Sequence, residues 1–131
     1  LKKIRNMKIL IINAAGEKIY FKVVINNNSY TTEFTNSREN FDKIVVLLFE
    51  FLKKHQIEVN QLESVLINQG PGKFSSLRNT IAIAKALSVT NSSNLYGYQS
   101  NQLENNNYDK IIELFVEGKL KKKLIKPNYS S

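Results

Sequence analysis

Residues 64–89 read SVLINQGPGKFSSLRNTIAIAKALSV, and this stretch decides the fold. The short apolar run 64–68 is bounded by polar residues, which is typical of a buried β-strand. Gly70-Pro71-Gly72 then turns the chain, because glycine and proline are the strongest turn formers. The apolar residues that follow recur at helical spacing over 75–89. A buried strand that leads through a tight turn into a helix indicates an α/β protein.

The chain before this stretch predicts a meander and a helix. Apolar and β-branched runs predict three strands, over residues 7–13, 18–25 and 29–35. Asn36 or Ser37, with Glu39 soon after, forms a capping pattern. We therefore expect a helix that starts there and runs to about residue 55.

The chain after this stretch predicts one more strand, over 95–98, a helical turn over 99–103 and a last helix over 108–117. Gly118 stands where a helix C-terminal cap belongs. The resulting order βββαβαβα predicts a single ribonuclease-H-like or actin-like ATPase lobe. Its sheet would be mixed and five-stranded, with helices on its faces.

The ends of the chain suggest a division into three parts. Met7 is the single methionine, so we expect residues 1–6 to be a disordered extension before the natural start. Residues 7–103 would form the lobe. Residues 104–131 would be a linker, a C-terminal helix and a basic tail.

Composition limits the classes of function. The 131 residues include no cysteine, which excludes a disulfide framework and thiolate chemistry. No apolar run has the length of a signal peptide core or a membrane span, so we expect a cytoplasmic protein. The net charge of +8 could serve nucleic acid. Because lysine, asparagine and isoleucine are abundant throughout, biased composition is the simpler explanation.

Catalytic patterns are absent where this fold would need them. Ribonuclease-H-type nucleases hold two metal ions with carboxylates at strand ends, where this chain has Asn13 and Asn68. We expect the acidic residues Glu33, Asp42 and Glu50 not to converge. The lone histidine, His55, offers no metal cluster or serine triad, and we expect it to close a helix near the negative end of the helix dipole. The sequence therefore predicts no catalytic and no metal-binding residue.

The glycine-rich loop is not a Walker phosphate loop. One residue separates Gly70 from Gly72, and Phe74 stands where that motif needs serine or threonine. A glycine-rich loop at a helix N-terminus can still present N–H groups to an anion. Alternatively, the loop only turns the chain from strand to helix.

Residues 70–78, GPGKFSSLR, resemble the signature loop GPGSFTGLR of the TsaB (YeaZ) family. The alanine-rich helix 81–87 and the strand 95–100 are similar to the segments that follow it, and KPNY at 126–129 resembles the family's closing PxYLR. Met7-Lys8-Ile9-Leu10 and Asn13 stand where that family opens with a strand ending in aspartate. The signature-loop residues are Gly70, Pro71, Gly72, Phe74, Ser75 and Arg78.

This resemblance implies a fold, a function and partners. TsaB is an actin-like, inactive relative of TsaD, the enzyme that transfers threonylcarbamoyl to tRNA adenosine, and TsaE is a further ATPase partner. The resemblance implies an accessory subunit of a TsaD-type enzyme that lacks most of the second lobe. It implies no tightly bound cofactor, with ATP or ADP only at a partner interface. Contact with tRNA would be weak or indirect.

Two helices carry more apolar surface than one sheet can cover. On the first, apolar residues span roughly 200°, about twice the arc that a one-sided helix needs. The second is rich in alanine, which allows another helix to approach closely. We expect these helices to form the partner-binding face, through Phe41, Val45, Leu48, Phe49, Leu52, Leu77, Ile81, Ala84, Lys85 and Leu87.

Three alternatives remain open at this point. The chain's own last helix could cover the two apolar helices. The chain could form a degenerate homodimer through the same helices. It could also be an independent nucleotide-binding, actin-like ATPase, although Asn13 and the missing lobe count against that function.

Overall fold

A computed structural model describes residues 7–103 and 107–122. One mixed sheet has the strand order β3-β2-β1-β4-β5. The first three strands form an antiparallel meander, and the last two run parallel to β1. The strands are β1 (Lys8–Asn13), β2 (Lys18–Ile25), β3 (Asn28–Thr35), β4 (Ser64–Asn68) and β5 (Asn94–Tyr98). The predicted α/β fold with a mixed five-stranded sheet is confirmed.

The helices follow the predicted order with one difference. They are α1 (Arg38–Asp42), α2 (Ile44–Lys54), α3 (Phe74–Asn91) and α4 (Tyr108–Val116), with short 3-10 turns at Val59–Gln61 and Ser100–Gln102. The prediction of one helix up to about residue 55 was wrong, because the helix is interrupted at Lys43 and two helices form instead. Its N–H bonds to the Asn40 carbonyl at 3.1 Å, which tightens the last turn of α1 and ends it.

Alternate residues of β1 supply two separate cores. Leu10 and Ile12 lie on the face that packs against α2 and α3. Ile9 and Ile11 lie on the opposite face, with Tyr108 and Ile111 of α4. This arrangement follows from the period of two in a strand and from a strand that is apolar on both faces.

Helix α4 therefore does not cover α2 and α3. It packs on the other face of the sheet. After the helix, Gly118 adopts a φ of 72° and donates its N–H to the Phe115 carbonyl at 3.0 Å, as the predicted C-terminal cap requires. The chain then returns to the sheet edge, where Gly97 N–H donates to the Lys121 carbonyl at 2.7 Å.

Some predictions fall on other residues. The expected extension 1–6, the linker residues 104–106 and most of the basic tail, 123–131, lie outside the described residues. Within the described part of the chain, no helix has the length and apolar character to cross a membrane.

Candidate functional site

Asn13 and Asn68 meet at the carboxyl ends of two adjacent parallel strands. Ile12 pairs with Ile67 in the β1–β4 register, so the next residue of each strand lies at the same sheet edge. The Asn68 side-chain Nδ2 donates to Asn13 Oδ1 at 3.0 Å. Two neutral amides thus bond to each other at the edge where a two-metal nuclease would place carboxylates.

The remaining bonds of these two amides hold the surrounding loops. Asn13 Nδ2 donates to the Tyr108 hydroxyl at 2.8 Å, and the Ala15 N–H donates to Asn13 Oδ1 at 3.1 Å. Asn68 Oδ1 accepts from the Gly70 N–H at 2.7 Å and lies 3.3 Å from the Ser100 hydroxyl oxygen. The amides act as structural connectors, since each one bonds both to the other and to a neighbouring loop or helix.

The signature loop is fixed on both sides. Ser100 donates its N–H to the Gly70 carbonyl at 2.9 Å and its hydroxyl to the Pro71 carbonyl at 3.0 Å. On the other side the Lys73 N–H reaches the Ala15 carbonyl at 3.2 Å. A Cβ atom on Gly72 would lie 2.4 Å from that carbonyl oxygen, so only glycine fits. Phe74 begins α3, while Pro71, Ser75 and Arg78 are exposed.

Asn36 and Ser76 form a second polar cluster that sequence analysis missed. The Asn36 side-chain Nδ2 lies 3.0 Å from the Ala14 carbonyl, 2.8 Å from the Gly16 carbonyl and 3.0 Å from Ser76 Oγ. Ser76 donates its hydroxyl to the same Ala14 carbonyl at 2.8 Å. Asn36 was expected as a possible helix cap, but Ser37 takes that role, since its side chain accepts from the Asn40 N–H.

A polar cleft lies beside these clusters. Its volume is about 420 Å³. Its wall contains the rings of Tyr20 and Tyr108, which stack with centroids 4.0 Å apart. The other lining residues are Asn13, Gly16, Glu17, Lys18 and Glu33. The sequence did not indicate Tyr108, because it comes from the last helix and nothing local marks its position.

Negative charge and burial keep the phenols of this cleft protonated. Burial, followed by the neighbouring Tyr108, Glu33 and Asp109, raises the pKa of Tyr20 to about 12. Burial also raises the pKa of Tyr108, and the hydrogen bond from Asn13 partly offsets this. A phenol with a raised pKa is a poor general base at neutral pH. The two phenols therefore offer hydrogen bonds and aromatic contact, and Glu17 and Glu33 add carboxylates to the lining of the cleft.

The other candidates for catalysis lie on separate elements. Glu33 is on β3, Asp42 on α1 and Glu50 on α2, and the described residues contain no group of three His, Cys, Asp or Glu side chains that could hold a metal ion. His55 follows the last residue of α2 as its C-cap. Its ring stacks on Tyr30 with centroids 4.2 Å apart.

Most of the predicted partner-binding side chains are not available to a partner. Val45, Phe49 and Lys85 are exposed, and Phe41 is half-buried. The others belong to the chain's own core, namely Leu48, Leu52, Leu77, Ile81, Ala84 and Leu87. For these residues the surface assignment was wrong. When apolar residues occupy most positions of a helix, the periodicity does not reveal which side faces the sheet.

An apolar surface nevertheless remains between the two helices, and we call it the α2–α3 face. It contains Val45 and Phe49 of α2, which are 46% and 43% exposed, and Ala82, Ile83 and Ala86 of α3. A shallow cleft of about 270 Å³ at one end of the face is lined by Val45, Ala82 and Ile83. There, Asn79 Nδ2 of α3 donates to the Phe41 carbonyl of α1 at 3.2 Å and joins these two helices.

The architecture is that of one lobe of the actin-like, ribonuclease-H-like ATPase fold. The family model of TsaD, the tRNA N6-adenosine threonylcarbamoyltransferase, matches residues 24–105. The chain therefore belongs to this family. No curated protein sequence matches.

Two solved structures share the fold. YeaZ from Pseudomonas aeruginosa superposes with a TM-score of 0.69 at 11% sequence identity, over 74% of this chain and 46% of that one. An uncharacterised protein with similarity to the peptidase YeaZ, also from Pseudomonas aeruginosa, gives the same TM-score and identity, over 74% of this chain and 45% of that one. The expected TsaB-like fold is confirmed, and the chain spans about half the length of these relatives.

Proposed function

We propose that the chain is a non-catalytic accessory subunit in the formation of threonylcarbamoyladenosine in tRNA, and that a TsaD-type catalytic subunit docks on its α2–α3 face. Family membership supports the pathway. The main observation that supports the accessory role is the hydrogen bond between Asn13 and Asn68. Neutral amides bonded to each other occupy the strand ends where metal-dependent members of this fold class need carboxylates.

The α2–α3 face supports docking for two physical reasons. Helix α4 packs on the opposite side of the sheet, so the described chain leaves Val45 and Phe49 exposed. The alanines at 82 and 86 are small and exposed, which lets a helix of the partner approach closely. A pair of helices from the partner would complete a four-helix arrangement.

The other expected properties belong to the same proposal. The subunit acts in the cytoplasm, and a TsaE-type ATPase joins the assembly. The chain binds no cofactor tightly, and ATP or ADP binds only at the interface with the catalytic subunit. Contact with tRNA is weak or indirect, and a homodimer through the same helices is the competing use of the α2–α3 face.

The test is reconstitution with a TsaD-type subunit, with the modified nucleoside measured by mass spectrometry. The chain should bind that subunit and stimulate modification. Val45→Asp and Phe49→Asp should each weaken binding about tenfold or more, because a buried aliphatic or aromatic side chain contributes roughly 1.5–3 kcal/mol. Asn60→Asp is the control: it adds the same charge at an exposed position outside both helices.

Two outcomes would overturn the proposal. Folded Val45→Asp and Phe49→Asp variants that bind and stimulate normally would show that the α2–α3 face is not the docking surface. Metal-dependent ATP hydrolysis or threonylcarbamoyl transfer by the purified chain, abolished by changing one of its residues, would show that the chain is itself an enzyme.

A further inference from the structure

The outer edge of β3 carries backbone groups that the described chain leaves unpaired. β3 is the terminal strand of the sheet, and within residues 7–103 and 107–122 only β2 pairs with it. Asn36, which follows β3, donates its N–H to the carbonyl of Glu17, which precedes β2. Because alternate residues of an antiparallel strand point their backbone groups to the same side, the even-numbered residues of β3 bond to β2. Ser29, Thr31 and Glu33 therefore direct their N–H and C=O groups away from β2. Thr35 points the same way, but its carbonyl already accepts from Asn40 Nδ2 at 2.8 Å.

This edge lacks the devices that normally prevent strand pairing. Proteins protect edge strands with lysine, proline, bulges or short length. β3 is eight residues long and reads NSYTTEFT, with one charged residue and no proline. Its register with β2 runs without a bulge from the Ile25–Asn28 pair to the Lys18–Thr35 pair. A long, regular and nearly uncharged edge is a template for another strand.

The sequence of β3 is complementary to itself. When two copies run antiparallel about a twofold axis at Thr32, Tyr30 of each copy lies opposite Phe34 of the other. These positions fall between the hydrogen-bonded pairs, where side chains approach most closely, and aromatic pairs stabilise such sites. Thr31 lies opposite Glu33 of the second copy, so no two like charges face each other.

The groove beside the edge has room for the second copy's aromatic side chain. It lies between β3 and α2, has a volume of about 300 Å³ and is lined in part by Phe34, Leu47 and Phe51. In the antiparallel arrangement, Tyr30 of the second copy stands beside Phe34 on this face of the sheet. The polar side chains of Glu50, Lys54 and His55 also line the groove. A groove of mixed character next to an unpaired edge is compatible with β-strand addition.

We propose that two copies of this chain associate through β3 and form one continuous ten-stranded sheet, centred on Thr32. Hydrogen bonds join Thr31 of each copy to Glu33 of the other, and the Thr35 N–H of each copy donates to the Ser29 carbonyl of the other. The interface does not use Val45 or Phe49, so it leaves the α2–α3 face open. The proposal is independent of the docking proposed above.

Charge placement at Thr31 tests the interface and its register. Thr31 is exposed, so the substitutions should leave the fold intact, as checked by circular dichroism. In sedimentation experiments, Thr31→Glu should raise the dimer dissociation constant about tenfold, because it sets a carboxylate opposite Glu33 in both symmetric pairs. Thr31→Lys should not weaken the dimer, and Thr31→Glu combined with Glu33→Lys should restore it.

A single cysteine gives a second test, because the chain contains none. Thr32→Cys should form a disulfide-linked dimer on mild oxidation, since opposed Cα atoms at such a site lie about 4.5 Å apart. Thr31→Cys is the matched control: its two copies would be separated by about 8 Å, too far for a disulfide.

Three results would overturn the proposal. The first is a protein that stays monomeric at all concentrations tested. The second is a dimer that responds to Val45→Asp and not to Thr31→Glu, which would place self-association on the helices. The third is equally fast cross-linking of Thr32→Cys and Thr31→Cys.

Discussion

At the scale of single residues, Gly72 is the position where the signature loop touches the β1–β2 turn. Gly72→Ala should lower the free energy of unfolding by about 1–3 kcal/mol, the range for overpacking, because its Cβ would overlap the Ala15 backbone. Gly16→Ala is the control, since a Cβ there meets nothing within 4 Å. Urea unfolding measures both. Equal stability of the two variants would show that the loop can shift to accept a side chain.

Tyr20 makes a prediction about alkaline pH. Its folded pKa of about 12 lies above the ordinary value of 10.0, so between these values the folded chain holds a proton that the unfolded chain has released. Its contribution to stability is complete below pH 10 and disappears as the pH rises towards 12. In the Tyr20→Phe variant, the free energy of unfolding should therefore fall less steeply with pH between 10 and 12 than in the unmodified chain. A variant with the same alkaline profile as the unmodified chain would contradict this assignment.

The chemistry of single residues was predictable only in part. The sequence indicated that amides, not carboxylates, end β1 and β4, since each strand was visible as a short apolar run. It did not indicate that Tyr108 would accept from Asn13. It also did not indicate that Asn36 would bond to Ser76 across 40 positions of sequence. Such contacts depend on how the helices cross the sheet, and no local pattern encodes that.

At the scale of elements, the buried and the exposed positions of α2 and α3 differ in which substitutions they tolerate. Ala84 is fully buried, so Ala84→Glu should lower the free energy of unfolding by about 3 kcal/mol or more, the effect of a buried unpaired charge. Val45 of α2 is 46% exposed, and Val45→Glu should change it by about 1 kcal/mol or less. Thermal and urea unfolding of the two variants compare the buried position with the exposed one. Similar destabilisation of both would mean that Val45 is also part of the core.

The order and type of the elements followed from sequence because strand runs, turns and helices alternate clearly along the chain. The orientation of α2 and α3 did not, since both helices are apolar at most positions. Phe51 and Phe49 look equivalent in sequence, yet Phe51 is 5% exposed and Phe49 is 43% exposed. Only packing against Phe21 of β2, with ring centroids 6.1 Å apart, distinguishes them. The sequence of α4 likewise did not indicate which face of the sheet the helix covers.

At the scale of the whole molecule, the net charge of +8 and the family's tRNA substrate raise the question of direct RNA contact. The first part of the basic tail leaves α4 and returns to the sheet edge at Gly97. There, Lys122 Nζ lies 5.8 Å from the centre of the Tyr96 ring, and Lys121 is exposed. At such a surface, lysine side chains can bind phosphate groups while the neighbouring aromatic ring stacks on a base.

Changing Lys121, Lys122 and Lys123 to glutamine tests whether this tail contributes to tRNA affinity. For every lysine that binds a phosphate, the substitution should reduce the slope of log affinity against log salt by about 0.7–0.9, because fewer counterions are released on binding. The reduction should be the same for unrelated tRNAs, since phosphate contacts carry no sequence information. Lys18, Lys53 and Lys54 changed to glutamine remove the same charge elsewhere on the surface and serve as the control. An equal fall in slope for both triple variants would mean that net charge alone attracts tRNA, whereas an unchanged slope for the tail variant would mean that the tail does not touch the RNA.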